Sequence, residues 1–447
     1  MSDASSGWPI APLSTVVDVL DRFRVPVNAS ERDSRQGAIP YFGATGQAGW
    51  IDAHLFDEEL VLLGEDGAPF LDPARQKAYI VRGKSWVNNH AHVLRARAGH
   101  DARFLKYQLD VVDYAPFVSG TTRLKLPQGA MKTIPLRVPD FAVQRRVADA
   151  IDAHTSRLDT ATATLERAQR NLKRYRASVL KAAVEGRLVP TEAALARTEG
   201  RSYEPASVLL ERILAERRAR WEASGTKGKY KEPVAPDTAG LPELPEGWCW
   251  GAVEQLADSV TYGTSSKTTD ESLASVPVLR MGNIVDGQLA WESLKYLPES
   301  HDEFPDLLLQ RGDLLFNRTN SPELVGKSAV FGGSVGPVSF ASYLLRVRFG
   351  PLIESDFVCA VINSHYGRAW IGSVVTQQVG QANVNGTKLK AFAVPLPPAA
   401  EQPRIVAEIS RVLTIARAAE STTGVDVDRI KALRGTILRA AFRGELV

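Results

Sequence analysis

The chain has 447 residues, 44% of them hydrophobic, and its 54 basic and 51 acidic side chains leave a net charge of +3. That is enough apolar material for several cores, and it lacks the strong positive excess of a small DNA-binding module. Two widely separated cysteines, Cys249 and Cys359, supply neither a disulfide framework nor a paired-thiol metal spacing, and no basic patch followed by an apolar run opens the sequence, which together suggest a soluble protein of a reducing cytoplasm.

In chain order, residues 1–140 predict a globular segment of short strands such as Leu60–Leu63 and Ala78–Val81, punctuated by Gly, Pro and Asn. From Pro73 to His100 there is no acid, while Arg75, Lys77, Arg82, Lys84, Arg95 and Arg97 are interleaved with Trp86, Asn88 and Asn89. Cations of this kind neutralise phosphates, and amide side chains pair bidentately with an adenine edge. Tyr114 to Pro139 is again acid-free and carries Arg123, Lys125, Lys132 and Arg137. His90 and His92 would share one side of a strand, but with no further ligand types beside them they read as structural, and no metal site is expected.

Residues 141–189 predict a long helix. Leu158, Leu165, Leu172 and Val179 recur at heptad spacing, with Ala161, Ala168, Tyr175 and Ala182 three positions after each, which makes a two-position apolar seam. Gly186 supplies a stop and Pro190 prevents continuation. Residues 190–240 form a linker with a short amphipathic helix, Pro205 to Trp221, followed by an extended Gly-, Lys- and Pro-rich stretch. A second globular segment, 241–397, holds the strand-like runs Val278–Met281 and Ala391–Pro395. Its acid-free stretch, Phe357 to Ala400, contains Arg368, Lys388, Lys390 and the amide cluster Gln377, Gln378, Gln381, Asn383 and Asn385. Residues 398–447 predict a second helical spacer with a seam at Ile430, Leu433, Ile437 and Ala440, broken near Thr422–Gly424 and restarted near Asp426.

The two halves repeat. Leu172–Val189 aligns without a gap on Ile430–Val447, and the same offset superposes Ile134–Pro139 on Phe392–Pro397, Gln144 on Gln402 and Ile151 on Ile409. Trp8 and Trp248 also correspond, but the segments between Trp and Pro differ in length and sequence, so similar helical frames carry dissimilar globular inserts. Catalytic patterns are absent: no Asp or Glu is followed two positions later by Lys, no Asn/Asp-Pro-Pro-Tyr/Phe occurs, and Gly326-Lys327-Ser328 has Ser321 where a phosphate loop needs glycine.

These features together resemble the DNA specificity (S) subunit of type I restriction-modification systems. The frame 395–406 (PLPPAAEQPRIV) is similar to the family's signature at the start of its helical spacer, from which the first copy departs at Asp140 and Val143. Tyr41–Gly46, Leu63–Gly67 and Asn89–Val93 resemble elements of one class of target recognition domain; Arg280–Ile284 with Gly312–Arg318 resembles another. The resemblance implies an α+β protein in which two globular mixed α/β target recognition domains, 1–140 and 241–397, are joined by two long helices pairing antiparallel as a coiled coil, in a pseudo-two-fold repeat. It implies a non-catalytic subunit that reads a bipartite, asymmetric site on double-stranded DNA, binds no cofactor of its own and scaffolds two methyltransferase subunits. Two restriction/translocase subunits can join, so that S-adenosylmethionine, ATP and Mg belong to the partners. An orphan specificity subunit serving a methyltransferase alone, or an assembly protein without sequence reading, also fits the residues.

On placement and composition, phosphate clamping is expected from Lys77, Arg82, Lys84, Arg123, Lys125, Arg318, Lys327 and Lys388, and base reading from Asn88, Asn89, Gln377, Gln378, Gln381 and Asn383. Trp86 and Tyr262 are expected as apolar or stacking contacts, and Leu158, Leu165, Leu172, Val179, Ile430, Leu433 and Ile437 as the helix-pairing seam.

Overall fold

A computed structural model describes residues 7–73, 75–270, 275–334, 336–378 and 381–446. The chain divides into two compact units, Met1–Gln169 with Ser421–Val447, and Arg170–Glu420. Each unit therefore owns a part of each long helix, Phe141–Val184 and Gln402–Phe442.

In the first unit the strands Val17–Val19, Ala91–Ala96, Leu60–Gly64 and Ala78–Val81 form one antiparallel sheet in that spatial order. Leu60–Leu63 is fully buried, because one face meets the helix Ala102–Val111 and the other a second sheet; such two-sided burial explains an unbroken apolar run. The second sheet is ordered Gly46–Ile51, Ile39–Gly43, Lys84–Val87, Phe56–Asp57, with Ile39–Gly43 and Lys84–Val87 parallel. A two-stranded ribbon, Ile10–Pro12 with Pro135–Arg137, ties the segment's entry to its exit.

The second unit repeats this plan with other residues. Ala257–Tyr262, Leu344–Phe349, Leu314–Asn317 and Ser328–Val330 occupy the same four places in order. Lys295–Pro298, Ser275–Leu279 and Ser339–Phe340 form the second sheet, again with a parallel pair. Cys249–Ala252 with Ala393–Leu396 repeats the ribbon. The inserts differ in sequence and share a topology. The second unit adds a small hairpin, Ile284–Val285 with Gln288–Leu289, whose turn residue Asp286 offers its carbonyl oxygen to Arg176 (3.5 Å) and Arg417 (3.3 Å) on the two long helices.

Within each unit the two helix parts run antiparallel. In the first, Arg434 pairs with Asp159 (2.8 Å) while Leu438, Ala441 and Phe442 pack on Val147, Ala148 and Ile151; in the second, Arg176 meets Glu420 (2.9 Å), and Ala183 and Val184 join the core that also holds Ile405 and Ile409. Of the expected seam, Val179 is buried and Leu158, Leu165, Leu172, Ile430 and Ile437 are half-buried. Leu433 is a correction: it is 47% exposed, because the inward stripe runs through Arg434, Leu438 and Ala441, about 100° around the helix from it. The expected break at Thr422–Gly424 is also corrected, since Gln402–Phe442 is one continuous helix that absorbs the roughly 1 kcal/mol cost of an interior glycine.

The linker carries helices Glu192–Glu199 and Ala206–Ala223, the latter burying Ala206, Leu209 and Ile213 on the second unit. Both long helices end on left-handed glycines, Gly186 (φ 63°) and Gly444 (φ 79°), as the repeat foretold.

The repeated glutamines are structural. Gln144 accepts from the Asp101 N–H (3.0 Å) and donates to the Pro139 carbonyl (2.8 Å); Gln402 accepts from the Glu354 N–H (2.9 Å) and donates to the Pro397 carbonyl (3.3 Å). Each fastens the start of a long helix to the start of the helix covering its sheet. At the neighbouring position the copies diverge. Buried Glu401 accepts from Trp248 Nε1–H (3.1 Å) and the Glu192 N–H (2.8 Å), and burial raises its carboxyl above the ordinary range, whereas Val143 packs in the cluster that includes Trp8.

Candidate nucleic-acid interface

Backbone hydrogen bonds place corresponding points of the two units on a common footing. Gly64 N–H donates to Lys77 O and Asn317 N–H to Lys327 O; Glu65 N–H donates to His90 O and Arg318 N–H to Tyr343 O; Leu126 N–H donates to Glu65 O and Val384 N–H to Arg318 O. Asp66 forms a bridge with Lys125, as Thr319 pairs with Asn383. The end of the central strand and a hairpin from the acid-free stretch thus meet in both units: Ser119–Lys125 in the first, and the strands Thr376–Gln378 and Gln381–Asn383 in the second.

The chemistry gathered there differs. In the first unit Arg24 pairs with Glu65 (2.6 Å), Lys125 with Glu65 (3.3 Å), and Asp66 receives both Arg123 (2.9 Å) and His90 (2.7 Å). In the second, Arg318 lies 5.1 Å from the Tyr262 ring centroid and donates to the Ser342 carbonyl (3.2 Å), while the Tyr262 hydroxyl accepts from the Gly386 N–H (2.9 Å). Asn383 donates to Thr319 Oγ1 (2.9 Å). Arg123, Lys125, Tyr262, Arg318 and Asn383 therefore come together at two equivalent points. The side chains of Gln377, Gln378 and Gln381 lie outside the described residues.

Several expected contacts are corrected. Lys77 is 3% exposed, donates to the Asp72 (2.5 Å) and Asp110 (3.3 Å) carbonyls, and desolvation lowers its pKa; it braces the helix layer and faces no solvent groove. Lys327 occupies the equivalent strand position and lines the cleft against the long helices with Asp356 and Arg368. Trp86 is buried, with Nε1 donating to the Val25 carbonyl (2.9 Å) and Arg35 stacked on its ring, so it belongs to the core. Asn88 is buried and caps the His90 N–H (2.8 Å), shaping a turn. Lys388 donates to Val374 O (2.6 Å) and Thr376 Oγ1 (2.5 Å), which buttresses the hairpin from behind. Arg82 is exposed but pairs with Glu59 (2.6 Å). Lys84 and Asn89 are exposed, and among the described residues Lys84 has no ion-pair partner.

Sequence reasoning noted Glu65 and Asp66 only within the Leu63–Gly67 element, gave them no role and passed over Arg24, because a search for acid-free stretches ignores the acids that hold the cations in place. Asp21, Glu65 and His92 also converge, but His92 is bonded at both ring nitrogens, to Asp21 (2.7 Å) and the Leu126 carbonyl (2.9 Å). Despite its burial, Asp21 is held below the ordinary carboxylate range by His92, Gln128 and the Val93 N–H. This is a satisfied buried network.

Residues 6–170 match the type I restriction modification DNA specificity domain. The chain is 25% identical to the specificity subunit of the type I restriction enzyme EcoKI of Escherichia coli over 98% of this chain and 89% of that one. The resemblance to type I restriction enzyme specificity subunits thus runs over nearly the whole chain. It is also 33% identical to the putative type I specificity subunit S.HindORF215P of Haemophilus influenzae, over 32% of this chain and 37% of the relative, a span confined to part of each. The HsdS subunit from Thermoanaerobacter tengcongensis shares the fold, with a TM-score of 0.51 at 16% identity over 98% of this chain and 97% of that one. Among the described residues no helix is long and apolar enough to cross a membrane.

Proposed function

We propose that this chain is the non-catalytic subunit that gives a cytoplasmic type I restriction-modification complex its DNA sequence, each globular segment (1–140 and 241–397) reading one half of a split, asymmetric site. The helical spacers 141–189 and 398–447 set the unread interval, and the linker 190–240 joins the halves. The observation that carries this reading is one topology used twice, with chemically unlike groups at the same hairpin: carboxylates, arginines and a histidine in the first unit; an arginine on a tyrosine, with asparagine and threonine, in the second. A duplicated scaffold with different contact groups reads two different half-sites; uniform phosphate binding would need no such difference. Two methyltransferase subunits carrying S-adenosylmethionine are the partners, and two restriction subunits supply ATP- and Mg-dependent cleavage.

Co-expression with the methyltransferase subunit of its system, in a host lacking other modification, tests this by genome-wide mapping of methylated bases. A single split motif is expected, and exchanging 1–140 for the corresponding segment of another specificity subunit should change one half of it. A stable complex that methylates without a motif would overturn the reading.

A further inference from the structure

At the hairpin of the first unit three stretches distant in sequence are fastened together. Gly67 N–H donates to the Leu124 carbonyl (3.0 Å) and Leu126 N–H to the Glu65 carbonyl (2.7 Å), so the turn Glu65–Gly67 grips both sides of Leu124–Leu126. Arg123 lies over Gly67, which holds φ at 67°; a Cβ there would stand 3.1 Å from Arg123 Nε. Glycine thus satisfies the backbone and leaves the guanidinium its seat. Arg123 Nη2 donates to Asp66 Oδ1 at 2.9 Å, and His90 Nδ1 lies 2.7 Å from the same oxygen. The Arg123 side chain is 61% exposed while Asp66 is mostly covered, so the guanidinium points outward from a fixed base.

Phosphate clamps work by uncompensated positive charge, since their contribution comes from displacing counterions. Arg123 is not such a group: Asp66 compensates it directly, and Glu65 is the next residue along. A carboxylate beside an arginine instead orients the planar fork and removes rotamer freedom before binding, which suits a bidentate contact with guanine O6 and N7. We propose that Arg123 is the guanine-reading, specificity-determining residue of the half-site taken by the first unit, with Asp66 and His90 as positioning residues. This rests on the specificity reading above and replaces the phosphate role suggested by the acid-free stretch. At the equivalent point of the second unit Arg318 lies against Tyr262, with no carboxylate in the described contacts of its guanidinium, so the two half-sites are read by different means.

The test uses the complete complex with wild-type chain, Arg123→Ala, Arg123→Lys and Asp66→Asn, comparing methylated motifs genome-wide and measuring duplex binding against salt. For Arg123→Ala and Arg123→Lys, one guanine position in one half of the motif should relax, its preference falling about tenfold or more, within the range expected for a bidentate pair. The other half should be unchanged, and Arg123→Lys should keep the salt slope. Asp66→Asn should relax the same position to a lesser degree. The proposal is overturned if Arg123→Ala weakens all sites alike and lowers the salt slope by about 0.9, the signature of one lost phosphate contact, or if Arg123→Lys leaves the motif intact. A wild-type complex with no split motif would defeat the specificity reading itself and this proposal with it.

Discussion

Val184 and Phe442 stand at corresponding positions of the duplicated helices and finish on corresponding seats. In the first unit Phe442 meets Phe104 edge-on (5.2 Å), and Phe104 meets Trp8 (6.2 Å); in the second, Val184 shares a core with Trp248, itself edge-on to Phe357 (6.0 Å). Beside each seat is a cleft between the helix covering the sheet and the long helices. The first, about 510 Å³, is lined by Lys106, Tyr107, Asp110, Asp159 and Arg434; the second, about 440 Å³, by Cys359, Ala360, Asn363, Arg417 and Arg176. In the second unit the hairpin at Asp286 and Gly287 contributes to the cleft wall, while in the first the corresponding strands Ile39–Gly43 and Gly46–Ile51 are joined by a tight turn. What recurs is the joint, built from Gln, Pro, an aromatic pair and a glycine stop, together with the sheet topology; what varies is the side chains and the connections mounted on it.

The comparison breaks most readily at the aromatic seat. Phe442→Ala should cost about 3–5 kcal/mol, as expected for a buried Phe, against roughly 2 kcal/mol for Val184→Ala. Hydrogen exchange should show lost protection in helix Ala102–Val111 for the former and in Ser355–Asn363 for the latter; equal losses from both variants would show that the seats are not independent. Next in size are Gln144→Ala and Gln402→Ala. Each removes a buried amide that satisfies a helix-starting N–H and a proline carbonyl, so each should cost about 1–3 kcal/mol in its own unit. Denaturation of the two variants should give matching losses, and a marked inequality would mean the repeat is only formal. The smallest effect sharpens the helix correction: Gly424→Ala places a methyl where no atom lies within 4 Å, and should stabilise by about 0.5–1 kcal/mol in thermal unfolding.

The frame was legible because its contacts are local or repeated. Heptad spacing announced the first long helix and the last turns of the second, Gly186 marked the end of the first, and the superposition of Gln144 on Gln402 marked a repeat whose chemistry the structure supplies. The common topology of the inserts was not legible. Their central strands are recognised by burial on both faces, a condition that Leu60–Gly64 and Leu314–Asn317 meet with different side chains. Hairpins from the acid-free stretches do meet the ends of the central strands, but the surroundings of single side chains were misread. Lys77 and Lys388 are cations whose partners, Asp110 and Val374, come from other elements, and composition counts charge without knowing which way a strand faces. Trp86 was lost for the same reason, since its strand turns the indole inward. Arg123 was named for its place in an acid-free stretch, but its ion pair with Asp66, far away in sequence, was not foreseen.

Phe442 has a further consequence for how the protein is made. Its ring completes the core around Phe104, Val147 and Ile151, yet the ribosome adds it after the whole second unit. At ordinary elongation rates the first unit waits on the order of tens of seconds for its final helix, with the apolar seat of Phe104 open to water. Newborn chains are therefore most vulnerable to aggregation through the part translated first, and a chaperone that shields that seat until synthesis is complete would raise the yield of folded protein.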